Sequence, residues 1–216
     1  MPKTTISRRQ FLKIAGLTLA GTTLTCSGLG YAATRTPEIK LPQQTYRKEN
    51  TMTDRILITY ATRAGSTAEI AAAIGANLSQ RGLMVDVKPV KSNPALGEYQ
   101  AVILGSAIRM GSWLPEAVDF VKSNQQALNQ MPVALFTVHM LNTEDDETSR
   151  ANRLAYLDAV RPLLNNPEEI YFQGKMDFSR LSLLDRFISK MVKAVEADNR
   201  DWDRIRSWVP EMLVTA

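Results

Sequence analysis

The sequence predicts a single α/β domain, doubly wound, with a parallel sheet covered by helices on both faces. Three observations carry this. Strand-type and helix-type segments alternate from residue 55 onward, the order that parallel pairing through helical crossovers requires. The segments starting at Ile56, Ala101 and Val133 are near-continuous apolar runs, as expected of strands buried on both sides. The first of these strands also passes through a hydroxyl-rich, glycine-containing turn straight into a helix.

Taken in order, the first strand is Ile56–Ala61. An alanine-rich helix follows over Thr67–Arg81, and Gly82 stops it. The second strand is Met84–Pro89, and Asn93-Pro94 marks the loop after it. The third strand, Ala101–Ser106, leads to a helix over Trp113–Asn124. The fourth, Val133–Val138, leads to a helix over Asp145–Val160, whose acidic start at 144–147 reads as a solvated helix beginning. The fifth strand is Ile170–Gln173. Two late helices, Leu181–Ala194 and Trp202–Met212, close the chain.

The first 33 residues read as an address rather than a part of this fold. Ser7-Arg8-Arg9-Gln10-Phe11-Leu12-Lys13 has the form of a twin-arginine export signal, followed by a moderately apolar stretch from Ile14 to Leu29. Gly30-Tyr31-Ala32 offers a small-x-small cleavage site. The expected divisions are therefore 1–33 signal, 34–54 linker and 55–214 domain, with the product in the periplasm. Met52 offers an internal start that would yield a cytoplasmic form.

The signal also accounts for the basic charge. It holds Lys3, Arg8, Arg9 and Lys13 and no acid, so 22 of the 26 basic residues remain to balance 22 acidic ones. Balanced charge gives no general attraction to nucleic acid. The single cysteine, Cys26, lies inside the signal. Beyond residue 33 there is therefore no disulfide, thiolate nucleophile, iron–sulfur ligation or cysteine zinc site. One histidine, His139, makes a histidine-based metal site or a Ser-His-Asp triad a poor expectation. Redox chemistry would have to reside on a bound organic cofactor.

The turn Thr62-Arg63-Ala64-Gly65-Ser66-Thr67 has the makings of an anion cradle. The first N–H groups of a helix lack intrahelical partners, and the helix dipole adds partial positive charge there. Gly65 admits close backbone approach, and Thr62, Ser66 and Thr67 add hydroxyls. No lysine follows the glycine and no GxGxxG is present, so neither a P-loop nor a dinucleotide fingerprint is formed.

This loop resembles the phosphate loop of flavodoxins. A second stretch, Gly105-Ser106-Ala107-Ile108-Arg109-Met110-Gly111, together with Leu184-Asp185-Arg186-Phe187-Ile188 and Asp201-Trp202, is similar to the flavodoxin-type, menaquinone-dependent protoporphyrinogen dehydrogenases. The resemblance implies five parallel strands in the order 2-1-3-4-5, a late helical insert, and FMN as the cofactor. Residues 62–67 would hold its phosphate. Ser106, Ala107, Ile108, Arg109 and Met110 would line one side of its ring. Arg109 would favour anionic reduced flavin or hold a substrate carboxylate, or else form a surface ion pair. Trp113 would shield the ring or serve as a core contact at the helix start. His139 and Met140 stand where flavodoxins often place a stacking aromatic. His139 would donate a proton to reduced flavin or be a hydrogen-bonded structural residue.

In the helix Leu181–Ala194, Leu181, Leu184, Ile188, Met191, Val192 and Val195 form an apolar stripe widened by Leu183 and Phe187. Arg180, Arg186, Lys190 and Lys193 flank it. Such a stripe suits a core-facing helix or a surface over 181–195 that meets a quinone-bearing membrane or a redox partner. Two functions follow from the resemblance: an FMN-dependent oxidoreductase passing electrons between a small-molecule donor and a quinone, or a non-enzymatic, periplasmic electron carrier.

Overall fold

The computed structural model describes residues 43–46, 55–191 and 195–213. The signal with its twin arginines and Cys26, most of the linker with Met52, residues Val192, Lys193 and Ala194, and the last three residues lie outside the described part.

Five parallel strands make the sheet: β2 (Arg55–Ala61), β3 (Met84–Pro89), β4 (Ala101–Arg109), β6 (Val133–His139) and β7 (Glu168–Gln173). They stand in the order β3-β2-β4-β6-β7. Counted among themselves along the chain this is 2-1-3-4-5, as expected. Two antiparallel additions were not expected. The first, β1 (Gln44–Tyr46), pairs with β3 at the sheet edge, so the presumed linker contributes a strand. The second, β5 (Ser112–Trp113), folds back on the end of β4.

The β4–β5 hairpin corrects the expected helix start at Trp113. Arg109 pairs with Ser112, and the two residues between them, Met110 and Gly111, have φ of 54° and 74°. Two successive positive φ values are the mark of a tight two-residue hairpin turn. Gly111 takes this conformation freely, whereas Met110 is held in it by the pairing on either side. The helix α2 begins only at Pro115 (Pro115–Ser123), where proline's missing N–H costs nothing.

Helix α1 (Ser66–Gln80) crosses from β2 to β3. After α2 comes the single turn α3 (Gln125–Leu128), and after β6 comes α4 (Glu147–Leu154), capped by the Asp146 carboxylate accepting from the Ser149 N–H. The long helix expected over 145–160 is shorter: beyond Leu154 the chain turns into two tight turns, Ala155–Leu157 and Arg161–Leu163, ahead of and around Pro162. The last helix likewise stops early, as α6 (Trp202–Ser207), because Pro210 cannot continue it.

Alternate residues of the strands feed two cores. On one face Leu57, Val102, Leu104 and Leu135 pack under Leu114, Val121 and Leu157. On the other, Ile56, Ile58, Ile103 and Phe136 pack under Ile70, Ile74 and Ile205. Gly105 is required at the centre: a Cβ there would stand 1.9 Å from the Phe136 ring, which lies across it.

Between β7 and α6 the chain leaves the sheet and returns. This insert runs through β8 (Lys175–Met176), α5 (Leu183–Met191) and β9 (Ala197–Asp198), and β8 and β9 pair antiparallel to close its neck. Glu69, in the first turn of α1, receives Arg180 at 2.8 Å and also Arg200, so both arms of the insert are fastened to that helix. Arg200 is nearly buried and its guanidinium lies 4.4 Å from the Trp202 ring centre.

Candidate functional site

The carboxyl ends of β2, β4 and β6 point to one rim of the sheet, where the strand order reverses between β2 and β4. Loops leaving these three ends bound a cleft of about 290 Å³, and the insert supplies its remaining wall. Such a crevice is where open α/β sheets bind their ligands.

At one end lies the turn 62–67. Gly65 caps α1 in a left-handed conformation, φ 89°, with no side chain capping the helix. Thr62 Oγ1 accepts the Gly65 N–H at 3.0 Å, which closes the turn. The first backbone bond into the helix is Glu69 N–H to the Gly65 carbonyl, 3.1 Å. The N–H groups of Ser66, Thr67 and Ala68 therefore have no intrahelical acceptor. Thr62, Arg63, Ala64 and Ser66 line the cleft, while Gly65 and Thr67 sit behind them. Thr67 is fully buried, and its Oγ1 is among the few buried side-chain polar atoms of the described residues without a partner. A buried hydroxyl left unpaired is costly, and an oxyanion seated on this helix end supplies what it lacks. Arg63 does not add charge to that end: its guanidinium meets Glu116 of α2 through two bonds of 2.8 and 2.9 Å.

The β4–β5 hairpin forms the second wall, with Ala107, Ile108, Arg109, Met110 and Gly111 facing the cleft. Ser106 and Trp113 do not. Ser106 is buried below, donating to the Ala107 carbonyl at 2.9 Å and accepting the Leu114 N–H at 3.1 Å. Trp113 is a core residue, 2 % exposed, whose indole N–H donates to Thr137 Oγ1 at 2.9 Å. Of its two expected roles the geometry supports the core contact. Arg109 forms an ion pair at 2.8 Å with Asp185 of α5, so it bridges hairpin and insert across the rim.

The third wall follows β6. Met140 lines the cleft, as does His139, which is 4 % exposed. Its Nδ1 lies 2.9 Å from the Leu141 carbonyl oxygen and therefore carries the proton it donates there. Burial, with the nearby Arg153 and Arg204 adding to it, pushes the imidazole pKa down to about 4. His139 is thus neutral at pH 7, its Nε2 an acceptor, and the expected proton donation by its cationic form is not supported. The aromatic side chain of this wall comes instead from Tyr156, in the turn after α4, with its ring centre 6.0 Å from that of His139. Asn142 donates to the Tyr156 hydroxyl at 2.6 Å, and Arg153 donates to the carbonyls of Asn142 and Glu144 at 2.6 and 2.7 Å.

Sequence reasoning missed Tyr156, Asn142 and the insert residues Lys175, Leu181, Asp185, Ser189 and Asn199, all of which line the cleft. Asn142 follows directly on the loop of His139 and Met140, and Asp185 lies in the segment 184–188; Tyr156 and the other insert residues reach the cleft only through the packing of the chain, which no local pattern discloses.

Fold and site together define an α/β domain with a ligand cleft at the switch point of its sheet and a helix end with unpaired N–H groups beside it. Residues 57–203 match the family model described as a flavodoxin domain, and the chain belongs to that family. It is similar to protoporphyrinogen IX dehydrogenase (quinone) of Escherichia coli strain K12, 26 % identical over 170 residues that cover 73 % of this chain and 94 % of that protein. The protein of the same description from Leishmania major is 25 % identical over 152 residues, 68 % of this chain and 65 % of that one. Among solved structures, a mutant flavodoxin from Fusobacterium nucleatum bound to flavin mononucleotide aligns over 74 % of this chain and 96 % of its own, with a TM-score of 0.43 and 15 % identity.

Proposed function

We propose that this protein binds FMN in the cleft and acts as an oxidoreductase that passes electrons from a small-molecule donor to a quinone. The observation that carries the reading is the pairing of a ligand-ready helix end, with its orphaned Thr67 hydroxyl, and a slot closed on its far side by the insert. The relatives named as quinone-dependent protoporphyrinogen IX dehydrogenases support the same class of reaction.

Bound FMN would supply an electron acceptor able to take up a pair and release it again. The chain's own residues bind, orient and exclude. The N–H groups of Ser66, Thr67 and Ala68 and the hydroxyls of Ser66 and Thr67 would hold the phosphate. The hairpin around Met110 would set the position of the ring. His139 Nε2 offers an acceptor, and its Nδ1–H keeps the Leu141 carbonyl engaged. The insert narrows the space in which a donor can sit, which favours an enzyme over a carrier that docks a protein on an open flavin edge. The twin-arginine segment supports a periplasmic location for this chemistry.

The test is spectroscopic first: purified protein should be yellow, or become so with FMN, and should reduce a quinone analogue with a small-molecule donor. Protein that neither carries nor takes up FMN would refute the reading. Flavin binding with electron transfer only to a partner protein would leave the carrier in its place.

A further inference from the structure

His139 is a buried titratable group on the wall of the cleft. Its Nδ1–H is spent on the Leu141 carbonyl at 2.9 Å, which fixes the ring and its tautomer. Nε2 has no hydrogen-bond partner among the described residues and remains an open acceptor. Around the ring stand Tyr156, in the turn after α4, and the cations Arg153 of α4 and Arg204 of α6. Burial raises the phenol pKa of Tyr156, so it stays uncharged. Burial of the imidazole, and then repulsion from the two cations, keep a second proton off it while the cleft holds no added negative charge.

Across the cleft the charges are already matched. Arg63, Arg109 and Lys175 are the cations that line it among the described residues. Arg63 meets Glu116 at 2.8 Å, Arg109 meets Asp185 at 2.8 Å, and Lys175 stands 3.5 Å from Asp177. None is left over to balance further negative charge. On this wall the group able to gain a positive charge in place is the imidazole of His139.

We propose that His139 takes up a proton at Nε2 when flavin bound in the cleft is reduced, and gives it up again on reoxidation. The proposal rests on FMN being the ligand of the cleft. The electron pair comes from the donor and the proton from solution; one N–H bond forms at Nε2, and the bond from Nδ1–H to Leu141 stays in place, so the ring need not move. An opposite charge within about 4–6 Å favours the charged form of a group by roughly ten- to a thousandfold. His139 thus serves as a countercharge that appears only in the reduced state, which a fixed arginine or lysine cannot do. When the electrons leave for the quinone, the proton leaves with them.

The test uses the full chain, free of any histidine tag, loaded with FMN and isotope-labelled at the histidine nitrogens. Because the chain has one histidine, each ring nitrogen gives a single resonance. At about pH 5.5, above the pKa of the buried ring and below that of a solvated one, the oxidised protein should show a bare Nε2. Anaerobic photoreduction should raise the proton affinity of the ring about a hundredfold, so that most of the Nε2 signal becomes that of a protonated nitrogen. Midpoint potentials between about pH 5 and 6 should depend on pH more steeply in the unaltered protein than in His139→Gln, by up to about 30 mV per tenfold change in proton concentration, the value for one proton per electron pair. An imidazole that stays neutral in the reduced protein would overturn the proposal, and so would equal slopes in the two proteins. The resonance is read on the unaltered chain, so the outcome does not depend on the variant folding. Protein that takes up no flavin fails at the earlier step and refutes the FMN reading, and this proposal with it.

Discussion

His139 offers the sharpest single test of the site. The folded protein holds its imidazole pKa at about 4, whereas an unfolded chain returns it to about 6.5. Between these values the unfolded chain binds a proton that the native protein refuses. Stability contributed by the neutral ring is therefore complete above about pH 6.5 and is lost as pH falls toward 4. The difference of roughly 2.5 units, at about 1.36 kcal/mol each, amounts to about 3 kcal/mol, a large share of a typical 5–15 kcal/mol domain stability. Carboxylates held below their ordinary values, such as Asp86 and Glu69, lose their contribution in the same direction. They begin to do so only near their unfolded values, about 4. The interval from about pH 5 to 6.5 therefore belongs to His139, which is the one histidine in the chain. Urea unfolding at about pH 5, 6 and 7 should show stability falling by about 2 kcal/mol across this range. His139→Gln should remove that slope while keeping a donor for the Leu141 carbonyl. The single imidazole resonance in an NMR titration should stay in its neutral position down to about pH 5. A native resonance titrating near 6.5 would refute the reasoning and restore His139 as a proton donor.

Other outcomes follow from the same geometry. Thr67→Val, which replaces the orphaned hydroxyl by a methyl of equal size, should raise the stability of flavin-free protein by about 1 kcal/mol and weaken FMN binding ten- to a hundredfold; thermal unfolding and flavin-fluorescence titration read the two effects, and unchanged affinity would defeat the cradle assignment. Asp185→Asn cuts the bridge from Arg109 to the insert, so amide exchange in α5 should accelerate about fivefold while that of β2 and β4 stays as it was; equal protection in α5 would show that the pair does not hold the insert. Lys in place of Arg8 and Arg9 should leave the precursor in the cytoplasm, and undiminished export would overturn the address.

What the sequence disclosed was local. The existence of the parallel strands and the turn 62–67 were legible because each depends on a few consecutive residues, an apolar run, a glycine, a helix start; the order of the strands came only through the resemblance to flavodoxins. The β4–β5 hairpin was not, since its first turn residue is Met110, which local preference would not place at positive φ. The ion-pair partners of Arg63 and Arg109 were not legible, because Glu116 and Asp185 lie 53 and 76 residues further on. The sequence left His139 open between a proton donor and a hydrogen-bonded structural residue for a related reason: only packing against Tyr156 and the turn at Leu141 shows that it is buried.

The fastening of the insert decides what kind of flavin protein this arrangement suits. Glu69, which takes Arg180 and Arg200 from the two arms of the insert, stands in the first turn of the helix whose end forms the cradle. At the opposite rim, Arg109 ties α5 to the hairpin that would flank the ring. Electrostatic contacts thus hold the insert to both walls that would touch the cofactor. Each such contact is modest when partly exposed, but together they fix a segment that has few apolar contacts of its own on its outer side. A carrier would be served by leaving the slot bare so that partner proteins can approach. Here the chain adds a helix, attaches it at both ends, turns its acid inward to Arg109, and so encloses a space of small-molecule size. A donor seated in that space would have a defined place beside the cofactor, which an enzyme needs and a carrier does not.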